Sequence, residues 1–318
     1  MTTTVFLQLV TNGIVLGAMY GLIAVGYTMV YGIVQLINFA HGDIFMLGGF
    51  GALFLYAWVP ALRSLPLLAA LPIMLIGGVV VSVVAAVAAE RFAYRPLRNA
   101  PRLAPLITAI GLSIFLEQLV FSYYPQPGGN WKTTAPVKFP SFGGKAFNLG
   151  GVLLQRADVV TLVLAAVSMA GLAYFVMKTR TGRAMQATAQ DPDTAKLMGI
   201  DTDKVIVVAF AVGAALAAVA AMSWGLRFGQ MSFDVGFVAG LKAVTAAVLG
   251  GIGNVYGAMV GGLVLGVAEA LSTGILAHYH ATVQYGAAWQ DVWAFVLLII
   301  VLLVRPQGLL GERVADRV

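Results

Sequence analysis

The sequence predicts an all-α polytopic membrane protein: a bundle of eight or nine transmembrane helices, with interrupted helices and a short cytoplasmic helix. Three observations predict it. First, 60% of the 318 residues are hydrophobic and only 10% are charged, where a soluble domain carries about 25% charged residues. A soluble core of this size cannot hide so much apolar surface, so the surrounding solvent is lipid. Second, apolar stretches near the length of about 20 residues that a spanning helix needs recur along the chain. Third, Lys and Arg gather between particular stretches, as cytoplasmic loops require.

Each element follows in order. The first apolar stretch, 5–33, is too long for the core of a signal peptide, and no Lys or Arg precedes Arg63; it reads as a retained span, not a cleaved leader. Spans 44–60, 67–89 and 104–123 come next, then a polar Gly- and Pro-rich segment, 124–156, then spans 157–178 and 204–226. A shorter apolar stretch, 235–251, either crosses with a bend or dips in and returns. Spans 255–276 and 287–304 complete the set.

The charges give the orientation. Segment 90–105 holds Arg91, Arg95, Arg98 and Arg102; segment 178–204 holds Lys178, Arg180, Arg183, Lys196 and Lys204; the tail holds Arg305, Arg313 and Arg317. All three segments are therefore expected inside, and 124–156 outside. An even number of crossings between the second inner loop and the tail makes 235–251 a crossing, and places the N-terminus outside. Residues 1–318 read as a single transmembrane domain. The net charge of +6 is that of positive-inside loops, so no nucleic-acid partner is expected. The absence of cysteine excludes a disulfide framework and any cysteine-based metal or redox site.

Glycine is abundant, as in membrane helices that pack closely. Gly13, Gly17 and Gly21 recur at every fourth position, as do Gly257 with Gly261 and Gly262 with Gly266. Each set forms a stripe that lets another helix approach. Asn38-Phe39-Ala40-His41-Gly42-Asp43 is a polar break between apolar helices. It admits two readings, a half-helix break lining a translocation path or a plain cytoplasmic turn. Segments 26–50 and 225–250 share a pattern of Gly, aromatic, polar break and Gly-rich apolar run. Glu117, Lys242 and Glu269 also fall in apolar stretches; a buried charge finds a partner, and Lys242 and Glu269 are the expected pair. His278 and His280 are expected in an outer loop.

The inner loop, about 179–203, carries the clearest local signals. Thr181 is a candidate cap for a first short helix. Asp191 is an N-cap, Pro192 sits at the first helical position where its missing N–H does no harm, Asp193 suits the positive end of the helix dipole, and Gly199 stops the helix. The spacing predicts a helix over 192–198, about 10 Å long. A short, capped, rigid helix suits transmission of force from a soluble partner better than a passive linker does. Ala184, Ala187 and Ala195 leave room for docking. No phosphate-binding loop of the G-x-x-x-x-G-K-[ST] type occurs, and the glycines at Gly250, Gly251 and Gly253 do not form a dinucleotide fingerprint. The chain is thus expected to carry no catalytic site and no cofactor or metal of its own.

On Gly26-Tyr27-Thr28-Met29-Val30-Tyr31-Gly32, Asn38 to Asp43, Glu90 to Arg98, Gly182-Arg183-Ala184, Leu241 to Gly253 and Ala268-Glu269-Ala270, the sequence resembles the permease subunits of branched-chain amino-acid ABC importers of the high-affinity Liv type. The resemblance runs from about residue 8 to 311. It implies a bacterial cytoplasmic-membrane importer in which a second related permease, two cytoplasmic ATP-binding subunits holding ATP and Mg, and an extracytoplasmic solute-binding protein complete the assembly. It implies that Gly182, Arg183, Ala184, Ala187, Asp191, Ala195, Gly199 and Ile200 form the ATPase-coupling element. Asn38, His41, Asp43, Lys242 and Glu269 stand as candidates for the translocation path. Relatives of the family carry urea, short amides or other amino acids. An ion-coupled secondary transporter and a passive channel are the alternatives from other classes, and neither needs a capped docking helix.

Overall fold

The computed structural model describes residues 2–98, 100–101, 103–125, 135–278 and 289–311. Twelve α-helices are described: α1 (Thr3–Val34), α2 (His41–Trp58), α3 (Pro60–Ser64), α4 (Leu67–Ala89), α5 (Leu103–Tyr123), α6 (Arg156–Lys178), α7 (Arg180–Gln190), α8 (Pro192–Leu197), α9 (Thr202–Phe228), α10 (Val235–Gly250), α11 (Val255–His278) and α12 (Gln290–Val304). Two small antiparallel ribbons accompany them. Strand β1 (Val137–Lys138) pairs with β4 (Gln230–Met231), and β2 (Lys145–Leu149) pairs with β3 (Val152–Gln155). Among the described residues six helices are long and apolar enough to cross a membrane, so the chain is a polytopic membrane protein.

α1 and α9 form the centre. Both are buried along most of their apolar stretch, whereas α4, α5, α6 and α11 bury only a minor part of theirs. With apolar residues on every side of α4 and α5, no inward stripe is needed. Leu68, Ile76, Val84, Ile107 and Ile114 stay on the outer surface, as suits helices whose other face meets lipid rather than water.

The glycine stripes do what their spacing predicts, and the structure supplies their partners. An added Cβ on Gly17 would lie 2.7 Å from the Gly262 carbonyl oxygen and from Leu263 Cα; one on Gly13 would lie 2.6 Å from Val267 Cα. The α1 stripe thus meets Gly262 and Gly266 of α11 backbone to backbone. Gly257 and Gly261 face α10 instead, where Cβ on Gly257 would stand 2.5 Å from the Gly250 carbonyl. Without a hydrophobic drive between helices in lipid, such close backbone contact is what holds them together.

The ends of the bundle differ. At one end lie both ribbons: Gln8 of α1 exchanges hydrogen bonds with the Leu153 backbone, at 2.7 and 3.1 Å, and the Trp58 indole N–H donates to the Pro125 carbonyl. Arg227, near the end of α9, pairs there with Asp158 at the start of α6. At the other end the last turn of α4 loosens into a π turn, Glu90–Tyr94, and a 3-10 turn, Arg95–Leu97. There Leu309 and Leu310 donate their N–H groups to the carbonyls of Leu249 and Gly250.

Candidate functional site

Two helices begin in the middle of the bundle. The chain leaves α1 at Gln35, in the left-handed region at φ 53, and turns back inward. α2 then starts at His41, whose ring lies edge-on to Tyr27 with centroids 4.7 Å apart and packs against Gly26. Gly26 stands about 12 Å short of the α1 terminus, at 1.5 Å per residue. Two residues into α2, Asp43 accepts a hydrogen bond from the Ser113 hydroxyl, about 15 Å along α5. α10 starts at the same level from the opposite end: an added Cβ on Gly236 would meet the Gly42 carbonyl at 2.8 Å, and one on Gly42 would meet Gly240 Cα at 2.9 Å. The two helix starts therefore touch backbone to backbone.

The first break is polar and enclosed. Asn38, His41 and Asp43 are 4%, 2% and 0% exposed, so all three face helices of the same chain. Asn38 organises the turn: its Oδ1 accepts from the Ala40 N–H at 3.1 Å and its carbonyl from the His41 N–H at 3.0 Å. The Tyr94 hydroxyl donates to the same Oδ1 at 2.5 Å. Asp43 Oδ1 has no hydrogen-bond partner among the described residues. Glu117 lies within electrostatic reach of both Asp43 and Asp234.

Lys242 and Glu269 come together as the sequence suggested, bridging α10 and α11 with Nζ 2.8 Å from Oε1. The structure adds three partners. Asp291, in the first turn of α12, accepts from the same ammonium at 2.6 Å. The Tyr20 hydroxyl donates to Glu269 at 3.3 Å, and Gln290 donates there too. Lys242 also stands 5.7 Å over the Tyr20 ring. Four helices thus meet on one buried ion pair. Tyr20, Gln290 and Asp291 carried no local signal, since each reads alone as an ordinary helix or helix-start residue.

The loop 179–203 folds into two helices. The cap of the first is Thr179 rather than Thr181: its Oγ1 accepts from the Gly182 N–H at 3.0 Å. Gly182 is buried in the corner, where an added Cβ would lie 2.6 Å from Val176 Cα. Asp191 caps α8, accepting from the Asp193 and Thr194 N–H groups at 3.0 and 3.1 Å. Those bonds, first of all that from the Thr194 hydroxyl, hold its carboxyl below the usual carboxylate range. Gly199 ends the helix at φ 83. Arg183 is exposed, Ala184, Ala187 and Ile200 are half-buried, and Ala195 is buried beneath the helix at 4% exposure. The apolar side chains offered outward are Leu197 and Met198, 87% and 79% exposed. His280, Arg102, Arg313 and Arg317 lie outside the described residues.

The family model for the branched-chain amino acid transport system permease component matches residues 9–302. The high-affinity branched-chain amino acid transport system permease protein BraD of Pseudomonas aeruginosa is 42% identical over 317 residues, covering 98% of each chain. The permease protein LivH of Salmonella typhimurium is 42% identical over 318 residues, and that of Escherichia coli K12 is 41% identical over 315, again covering 98% of each chain.

Proposed function

The chain belongs to the family of branched-chain amino acid transport system permease components, and from that premise we propose that it imports branched-chain or related amino acids across a bacterial cytoplasmic membrane, driven by ATP that partner subunits hydrolyse. A second related permease completes the membrane part. Two cytoplasmic ATP-binding subunits hold the ATP and Mg, and an extracytoplasmic binding protein delivers the solute. The chain forms one transmembrane domain of nine passes. The ribbon end, with 124–156 and the N-terminus, faces out; the end with 90–105 and α7–α8 faces the cytoplasm. The passes through α2 and α10 are interrupted, each starting near the midplane, as in transporters built from repeats of inverted topology.

The observation that carries this reading is α8. A six-residue helix with a side-chain cap and a left-handed stop holds two exposed apolar side chains outside the membrane-crossing helices. Two adjacent exposed apolar side chains on an otherwise polar element suit docking against a partner. Leu197 and Met198 insert into the ATPase subunit, with Arg183, Ala187, Asp191 and Gly199 around them, while Gly182 and Ala195 fix the helices to α6 and α9. ATP-driven closure of the ATPase pair pushes α8, and α9 follows because only Met198 to Asp201 separate the two. The buried group Asn38, His41 and Asp43 and the pair Lys242–Glu269 sit where moving helices meet and adjust the solute path.

Substrate-stimulated ATP hydrolysis by the reconstituted assembly tests the reading. Leucine, isoleucine and valine, with the binding protein present, are expected to raise hydrolysis several-fold. Stimulation by urea or short amides alone would replace the substrate assignment; no stimulation by any of these solutes would remove it.

A further inference from the structure

We propose that Arg98, Glu90 and Tyr94 transmit the position of the cytoplasmic helix pair to the start of α2, which makes Arg98 and Tyr94 positioning residues for transport. The inference rests on α8 being the element the ATPase moves. Asp203 stands in the first turn of α9, directly after α8. Arg98 Nη1 donates to Asp203 Oδ1 at 2.5 Å and Nη2 donates to Glu90 Oε1. Arg95 spans the same two carboxylates, at 3.7 and 3.4 Å. The Glu90 side chain is 1% exposed and that of Asp203 54%, so the two guanidinium groups tie a buried acid to one at the surface.

Glu90 opens the π turn that Tyr94 closes. From Tyr94 the hydroxyl reaches Asn38 Oδ1, the oxygen that also holds the Ala40 N–H from which α2 begins. Direct polar contacts and one turn of helix therefore connect Asp203 to the interrupted pass. The turn supplies the place that yields. A π turn is a rare, single-turn departure from the α register and is frequent at functional positions; reverting to α register would rotate Tyr94 relative to Glu90. A motion so imposed on α2 is not absorbed locally, because Gly42 and Gly236 are in backbone contact and α10 must follow. Coupling needs a physical element with two arrangements, and this turn is assigned that role.

The test uses the full reconstituted complex and reads solute moved per ATP hydrolysed. Y94F removes one hydroxyl and D203N one charge. Each is expected to lower the ratio about tenfold, with the ATPase subunits still bound and hydrolysis continuing. The double variant is expected to be no worse than either alone, as for two steps in series. R98K keeps the charge but loses the fork that holds both carboxylates, and is expected to recover only part of what R98A loses. A wild-type ratio in both Y94F and D203N overturns the proposal, as does a fall in which uptake and hydrolysis decline together. A wild-type complex without ATP-dependent uptake overturns the importer reading itself, which the variants' ratios do not decide.

Discussion

The two breaks, between α1 and α2 and between α9 and α10, use the same backbone device with different side chains. Each first helix ends at a residue in the left-handed region, Gln35 at φ 53 and Gly229 at φ 68. Setting those two in register places Asn38 opposite Ser232, Phe39 opposite Phe233 and Gly42 opposite Gly236. Both Asn38 and Ser232 accept, through their carbonyls, the N–H of the residue that opens the second helix. The glycines that face each other in register also touch in space. The chemistry diverges around this frame. The first break is sealed by Asn38, His41 and Asp43, all buried, and tied to Tyr94. The second is half open: Asp234 is exposed, its strand β4 joins a ribbon with β1, and its helix carries Lys242 where α2 has Gly48. A symmetric frame thus holds two unequal halves, one tied through Tyr94 to the end of the bundle that carries the π turn and one tied to the ribbon end and α11.

Substitutions that break the shared frame are expected to cost most. G42V or G236V places a side chain against backbone that has no room to move, a clash that exceeds the about 1–3 kcal/mol of ordinary overpacking and is enough to prevent assembly. Loss of a monodisperse complex in size-exclusion chromatography is the expected result for both. Next come the features that only one half has. K242M leaves Glu269 buried without its cation beside Asp291, a loss of about 3–5 kcal/mol in thermal unfolding, whereas G48A acts through tight packing on Ala218. K242M/E269Q is expected to regain part of that loss. Smaller still, exchanging the two left-handed residues separates their roles. G229Q is expected to cost about 1 kcal/mol, and Q35G to relieve strain of about that size.

Outside both breaks, D191A tests whether α8 needs its cap. Faster hydrogen exchange at the Asp193 and Thr194 amides is the expected outcome. Because the Asp191 carboxyl is held below its usual range in the folded helix, its contribution is present above the unfolded carboxylate pKa. It is lost as pH falls through the depressed folded value. Exchange at those two amides should rise over that acid range in the native chain and show no such step in D191A.

Much of this architecture was legible in the sequence. Apolar length alone placed the long helices: 67–89 coincides with α4, and 104–123 and 157–178 each begin one residue late. The short stretch 235–251 was legible as an irregular element because it was too short to cross alone. Caps at Asp191 and Gly199 were legible since they depend on neighbours in sequence. What was not legible depends on depth and on distant partners. Nothing local tells that His41 starts a helix beside Gly26 instead of closing a surface turn. Composition does not show that Tyr94 reaches Asn38 or that Asp291 joins Lys242. Leu197 and Met198 were invisible for the opposite reason: apolar residues in a membrane protein attract notice only when they lie outside its apolar passes.

The most direct test of ATP-driven import is uptake of radiolabelled leucine into proteoliposomes holding this chain and the proposed second permease, with and without the two proposed ATP-binding subunits, and with the proposed solute-binding protein supplied outside. Accumulation is expected only when the ATP-binding subunits and internal ATP are both present, and is expected to be lost when Leu197 and Met198 are replaced by Asp. Uptake at the same rate without those subunits would contradict ATP-driven import, and would make the chain a gradient-driven carrier or a passive channel.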